Sequence, residues 1–316
     1  MAQIHNKKSD VQYIKVSPEQ AGRRIDNFLT GYLKSIPKTH LYKMLRKGEV
    51  RVNSARVKQD YRLLTDDIVR IPPLYMNTAN FEKHPTQSLQ HLLNTCILFE
   101  DDYLMAINKP AGIAVHAGSG QKFGVIEALR ALRPHAGCLE LVHRLDKATS
   151  GCLLVAKDHR VLRGMHANLR SNSIKKQYIA ILKGKIHSQR QDVSLPLLKD
   201  ELRSGERMVQ VHEGGKQAVT SFYMLRHYTD ASLVRVELMT GRTHQIRVHA
   251  AHIGHPVAGD VKYGDRSFNR RIKRAGLRRM FLHAESLTFA LPYADGEITI
   301  KAPLPDDLTS FLDGYN

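Results

Sequence analysis

The stretch LVHRLDKATSGCLLVA, residues 141–156, places two apolar runs on either side of a polar loop. Short apolar runs bounded by turn residues read as buried strands. The loop holds one carboxylate, Asp146, between the cations Arg144 and Lys147, followed by Thr149, Ser150 and Gly151. Loops set on a rigid sheet are where reactive groups tend to sit, and a glycine there tolerates dihedrals closed to other residues. An aspartate that only caps turn amides is the plainer reading of the same residues.

The neighbouring sequence has the same texture. Residues 96–99 and 104–107 read as a hairpin, and 139–142, 178–182, 219–227, 233–239, 281–289 and 298–300 as further strands. Residues 125–132 and 161–169 have helical spacing. Strands outnumber helices and several are adjacent hairpins, so the expected class is α+β, with a large antiparallel or mixed sheet flanked by helices and loops.

A second polar constellation is TGRTHQIRVHA, residues 240–250. Thr243 suits a helix N-cap, and Ile246, Ala250 and Ile253 share a face before Gly254. His244 and Arg247 then project from another face. An arginine there can pair with a partly buried carboxylate and hold it in its charged form; otherwise it is a surface cation at a helix start, where the helix dipole does not favour it. His244, His249, His252 and His255 invite a metal reading, but no HExxH spacing occurs and no cysteine lies nearby. A hydrolase triad of Ser150, His143 and Asp146 lacks the GxSxG elbow. No metal and no cofactor are expected.

The whole chain has 316 residues, 42% of them hydrophobic, with 48 Lys and Arg against 30 Asp and Glu, a net charge of +18. That composition suits two compact domains and excludes a chain that is intrinsically disordered throughout. No apolar run reaches the roughly 18 residues that span a bilayer, and the first residues, MAQIHNKKSD, lack a secretory h-region. Three scattered cysteines form neither a zinc nor a disulfide pattern. A cytoplasmic protein with a polyanionic partner is expected, nucleic acid foremost and no membrane. Nothing suggests an obligate interface, so a monomer is expected.

The charge is densest at the N-terminus, where residues 1–75 hold 15 basic and 7 acidic side chains. Ile25, Phe28, Leu29, Tyr32 and Leu33 recur at helical spacing and give one buried face. A second helix after Pro37 would bury Leu41, Met44 and Leu45, stop at Gly48, and present Lys43, Arg46 and Lys47 on its other stripe. Strand-like pieces follow at 50–52, 56–58 and 68–71. With Arg23, Arg24, Lys38, Arg51, Arg56, Lys58 and Arg62, the surface attracts phosphates without reading bases; a merely solvated charged face is the alternative. The order of helix, basic helix and hairpin resembles the S4 RNA-binding domain, a small α/β module. The expected division is a flexible tail over 1–16, the S4 module over 17–73, a linker over 74–94 and a catalytic domain over 95–316.

In the large domain, HRLDKATSG (143–151) resembles the signature loop of the RluA-type pseudouridine synthases. INKPAGIAVHAG (107–118), KKQYIAIL (175–182), TGRTHQIRVHAAHIGHPVAGDVKYGD (240–265) and FLHA (281–284) match the family's other blocks in order. The resemblance implies the pseudouridine synthase fold and an isomerisation of uridine without cofactor or metal. In the family pattern Asp146 corresponds to the essential carboxylate and Arg247 to the arginine that keeps it charged and oriented. Tyr178 corresponds to the catalytic tyrosine that stacks on uracil and helps remove the C5 proton, although periodicity alone would make it an ordinary strand aromatic. Arg144 resembles the arginine that fills the vacated place in the RNA stack. Ile246 and Leu282 would wall the uracil, and His143 would order the loop. The branch resembled, with an S4 module in front, implies 23S rRNA or a large-subunit assembly precursor as partner. A non-catalytic S4-domain assembly factor is the alternative reading.

Overall fold

The computed structural model describes residues 6–8, 10–33, 36, 38–77, 85–117, 123–201 and 207–315. The chain falls into two compact units, Met1–His84 and Pro85–Asn316.

The first unit contains β1 (Asn6–Lys8), β2 (Gln12–Lys15), α1 (Ile25–Tyr32), α2 (Lys38–Lys47), β3 (Arg51–Val52), β4 (Ile68–Ile71) and β5 (Tyr75–Asn77). β2, β4 and β3 form one antiparallel sheet, and β1 pairs with β5. Ile25, Phe28 and Leu29 of α1 and Leu41, Met44 and Leu45 of α2 pack with Val52, Val69 and Ile71 into one core. Three expectations need correction. Residues 12–15 are not a flexible tail: their alternation suits a strand, and they pair with β4 from Gln12↔Ile71 to Lys15↔Ile68. Tyr32, expected in the core, is exposed and stacks on Phe28. Residues 56–58 form no strand, because the turn at Asn53 and Ser54, both with positive φ, closes on an isolated Val52↔Ala55 bridge.

The second unit starts with α3 (Gln87–Thr95), capped by Thr86, whose hydroxyl accepts from Leu89 N–H. This helix lies in the segment expected to be a linker. Its few apolar residues conceal it, yet Leu93 is fully buried. Of the rest of the expected linker, Tyr75–Asn77 form β5, paired with β1, and 78–84 lie outside the described residues, as does Gly118 of the 107–118 block. There follow β6 (Ile97–Glu100), β7 (Leu104–Lys109), α4 (Val125–Leu132), β8 (Glu140–Leu141), β9 (Ser150–Ala156), α5 (His159–Arg170) and β10 (Lys175–Lys183). After them come β11 (Arg190–Ser194), β12 (Leu197–Glu201), β13 (Arg207–Val211), β14 (Val219–His227), β15 (Ala231–Leu238), α6 (Gln245–His252), α7 (Arg266–Arg274), β16 (Leu282–Ala290), β17 (Glu297–Lys301) and α8 (Asp306–Gly314).

The central sheet has ten strands in the order β11-β14-β15-β10-β16-β9-β7-β6, with β17 added to β16 and β8 to β9. The expected α+β class with a mixed sheet is what the chain forms. All its pairings are antiparallel except β16 with β9, a parallel contact of two residue pairs, His283↔Ser150 and Ala284↔Gly151. Two antiparallel halves therefore meet at one short seam. Gly151 makes the seam possible: its φ is +113°, and a Cβ there would stand 2.2 Å from the Ala284 carbonyl oxygen. The Asp146 loop enters β9 at this seam, and across β16 from it Tyr178 of β10 pairs with Ala284. No helix among the described residues is long and apolar enough to cross a membrane.

Candidate active site

Asp146 lies in the loop between β8 and β9, its side chain 24% exposed. Several bonds fix that loop. His143 accepts the Leu154 N–H at Nε2, 3.1 Å, which ties the loop back onto β9. Burial lowers the His143 pKa to about 4, so the ring is neutral and free to accept. Lys109, fully buried, donates to the carbonyls of Pro110 (2.7 Å), Ile113 (2.9 Å) and Lys147 (3.4 Å), pinning the 109–113 turn to the residue after Asp146. Burial pulls its pKa down to about 7, against the opposing attraction of Asp146.

At the other end of the loop Ser150 is buried between two partners. Arg279 Nη1 donates to its hydroxyl oxygen at 3.0 Å, and the Ser150 hydroxyl lies 2.9 Å from His283 Nδ1. His283 Nε2–H donates to the Ala302 carbonyl, so Nδ1 is the acceptor of that hydroxyl. Arg279 is in turn clasped by both oxygens of Asp307 on α8. Ser150, His143 and Asp146 thus do not assemble as a triad: Ser150 is bonded to Arg279 and His283, and His143 to the Leu154 N–H.

Arg247 approaches Asp146 from α6. The turn before that helix is locked by Gln245, buried, which accepts from Thr240 Oγ1 and Arg242 N–H and donates to the Val219 carbonyl and Thr220 Oγ1. The helix begins after His244, held at φ 54°, so Thr243 is not the N-cap as expected: that position falls to His244, whose side chain makes no capping bond. Arg247 then places Nη1 3.0 Å from Asp146 Oδ2. Its other edge is bidentate to Asp260, Nε to Oδ2 at 2.7 Å and Nη2 to Oδ1 at 2.8 Å. Asp260, 1% exposed, also accepts the N–H groups of Lys262 and Tyr263. Burial works against the arginine's charge, but the bonds to Asp260 and Asp146 outweigh it and raise its pKa above the ordinary value. The same bonds overcome the burial of Asp260 and lower its pKa. Tyr263 lies under the guanidinium, 5.0 Å from Cζ to the ring centroid, and its hydroxyl is 2.8 Å from His244 Nδ1. His244 Nε2 stands 3.8 Å from Asp146 Oδ2; burial lowers the ring's pKa, with Asp146 opposing.

Every expected site residue of the large domain, Asp146, Tyr178, Arg247, Arg144, His143, Ile246 and Leu282, lines one cavity of about 700 Å³. That volume lies in the range of small-ligand sites. Tyr178 is buried, and burial, reinforced by the charge of Asp146, raises its phenol well above the ordinary value. Arg144 is exposed at the cavity, and no side-chain partner holds it among the described residues. Asp260 and Gln245 escaped the sequence reading. Both sit in the 240–265 block, but neither periodicity nor charge pattern shows which side chains turn inward to meet Arg247 or the 240–245 turn. The histidines do not converge on an ion site: His249 bonds Thr220 and the Leu195 carbonyl, and His255 bonds the Lys183 carbonyl. No group of three or more His, Cys, Asp or Glu suited to a metal occurs among the described residues.

The expected RNA-binding cations belong to the first unit. Lys43, Arg46 and Lys47 lie exposed along α2. Arg24 pairs with Asp26, Arg23 donates to the Asn27 carbonyl, Arg51 to those of Gly48 and Ser54, and the Arg56 side chain lies over Gly48.

Residues 103–252 match the RNA pseudouridylate synthase family. Ribosomal large subunit pseudouridine synthase C of Haemophilus ducreyi is 48% identical over 306 residues, covering 96% of this chain and 95% of its own length. The protein of the same name from Escherichia coli (strain K12) is 49% identical, with 96% of each chain covered. Of solved structures, human RNA pseudouridylate synthase domain containing 4 superposes with a TM-score of 0.60 at 27% identity, over 72% of this chain and 95% of that one. The chain belongs to the RNA pseudouridylate synthase family and is an isomerase.

Proposed function

We propose that this pseudouridine synthase acts in the cytoplasm on uridines of large-subunit (23S) ribosomal RNA, with Asp146 as the reacting carboxylate. The names of the close relatives support the substrate. One observation carries the chemistry: Arg247 braces Asp146 through Oδ2, and the carboxylate lines a cavity shared with Tyr178, Ile246 and Leu282.

The reaction breaks the N1–C1′ bond of uridine, turns the uracil, and joins C5 to C1′. The C5 proton is lost and N1 gains one, so the product is an isomer. The target nucleotide must first leave the RNA stack, at a cost of a few kcal/mol. Arg144, a planar exposed cation, is suited to occupy the vacated position. Asp146 then acts either as nucleophile at C1′ or as base toward the 2′ proton, and both routes use the same braced oxygen pair. A primary isotope effect with 2′-deuterated target uridine supports the second route and its absence the first. Tyr178 is a stacking wall in this scheme; with its phenol held protonated, a tyrosinate base is disfavoured. The N-terminal unit serves as an S4 module whose α2 cations hold the RNA backbone without reading sequence.

The test is tritium release from undermodified 23S rRNA labelled at uridine C5. The wild type should release tritium without free uracil, and Asp146→Asn should release none while binding RNA within about threefold of wild type. Free uracil would mark a glycosidase instead, and silence from the wild type would remove the substrate assignment.

A further inference from the structure

Lys176 is a buried cation without a counter-charge. Its residue is 8% exposed, and it lines the same cavity as Asp146. It stands two residues before Tyr178 on β10, so the two side chains leave the strand on one face. Its Nζ donates to the Ile174 carbonyl at 3.1 Å, and no carboxylate pairs with it among the described residues. An ammonium has three donors, so two remain for something else. Burying such a group unpaired is costly, and here burial alone lowers the pKa of the amine. A site that keeps this arrangement is one whose ligand supplies the missing anion.

The uracil and ribose of a uridine are neutral, so the anion in a uridine-bearing ligand is the phosphodiester. The cavity wall agrees in sign: Arg144, Arg170, Lys176, Arg242 and Arg247 line it against the single carboxylate Asp146. Arg247 is already committed to Asp260 and Asp146. Arg170, in the last turn of α5, is exposed and lines the same cavity as Lys176. We infer that Lys176, with Arg170 at the rim, forms a phosphodiester subsite that seats the backbone beside the everted uridine. This rests on the uridine-isomerase reading above and adds to it the group that anchors the nucleotide rather than transforms it.

The probe is an in vitro transcript of 23S rRNA, assayed with wild type, Lys176→Met and Lys176→Arg, each checked by thermal melting. Lys176→Met should raise KM at least tenfold while kcat stays within about threefold. The slope of log(kcat/KM) against log[salt] should flatten by roughly 0.7 to 0.9, the loss of one phosphate contact. Lys176→Arg should restore both. As a second measurement, the dinucleotide UpU should compete better than its uncharged methylphosphonate against wild type, whereas Lys176→Arg should preserve that preference and Lys176→Met erase it. A fall in kcat at unchanged KM, or an unaltered salt slope, would overturn the subsite. If Lys176→Met does not fold, an equal potency of UpU and the methylphosphonate toward wild type overturns it alone. A wild type that makes no pseudouridine refutes the underlying reading instead.

Discussion

Replacing Asp260 by asparagine tests whether the Asp146 brace is itself braced. Asp260 touches no substrate in the proposed scheme; it holds Arg247 by two bonds of 2.7 and 2.8 Å in a dry setting. Asparagine can keep the acceptor at Oδ1, which serves Arg247 Nη2 and the backbone N–H groups of Lys262 and Tyr263. Its amide NH2 then stands where Oδ2 accepted from Nε, so two donors face each other and the guanidinium must rotate. A hydrogen bond to a charged group contributes roughly 1.5–3 kcal/mol. Losing one, with the rotation pulling Nη1 from Asp146, gives an expected loss of about 2.7 kcal/mol, or about 100-fold in kcat. Single-turnover tritium release with saturating enzyme measures it, and RNA affinity should stay within about threefold because Asp260 is buried. Asp260→Ala goes further: it removes one of the two partners of a buried guanidinium, so a stability loss toward the range of about 3–5 kcal/mol for a broken buried pair is expected in urea titrations, reduced by what Asp146 still provides. A folded Asp260→Asn enzyme with kcat within threefold of wild type would refute the reasoning.

Three further outcomes follow from the geometry. His283 is buried neutral with its pKa lowered to about 4, so the folded state disfavours its protonation and the unfolded state does not. Stability should therefore fall as pH drops from about 6.5 to about 4, by up to about 3 kcal/mol from this histidine; urea titrations of wild type and His283→Asn should show a weaker pH dependence in the variant. Gly151→Ala should destabilise the large domain by about 2–4 kcal/mol, because the added Cβ meets the Ala284 carbonyl in a backbone conformation closed to alanine; an unchanged melting temperature would count against the seam. Neutralising Lys43, Arg46 and Lys47 together should weaken binding to 23S rRNA and reduce the salt slope by up to about 2–3, with single-turnover kcat unchanged; an undiminished slope would place the anchor elsewhere.

The carboxylate and guanidinium of the proposed scheme stood out in the sequence because both sit in ordered blocks: Asp146 in 143–151 and Arg247 in 240–265. Their meeting follows from the resemblance, not from spacing, since 101 residues separate them. What the sequence did not show shares one cause. Asp260, Gln245 and Ser150 act through bonds to distant backbone and side chains, and local patterning reports only which residues share a face of one element. Thr243 looked like a cap because the hydroxyl is a good one in isolation; the left-handed turn at His244 starts the helix one residue later. The segment 12–15 looked like tail because a four-residue strand carries little periodicity, and α3 looked like linker because Asn and Gln dilute its apolar stripe. Most strands of the central sheet were easier, since their runs of buried residues need no partner to be recognised; the edge strand β11, with Val193 its one buried residue, was missed.

The seam between β9 and β16 has a consequence for the order in which a working molecule comes into being. Ribosomes deliver a chain from its N-terminus, and here Ser150 precedes His283 by 133 positions. A nascent polypeptide that has emitted Asp146 owns the acid long before the segment that supplies its guanidinium, and longer still before the strand that closes the joint beside it. Contacts this remote along the chain form late, after their loop-closure entropy has been met. The pairing of Asp146 with Arg247, and the β9–β16 joint beside it, is thus complete only once residues as late as Ala284 have been added.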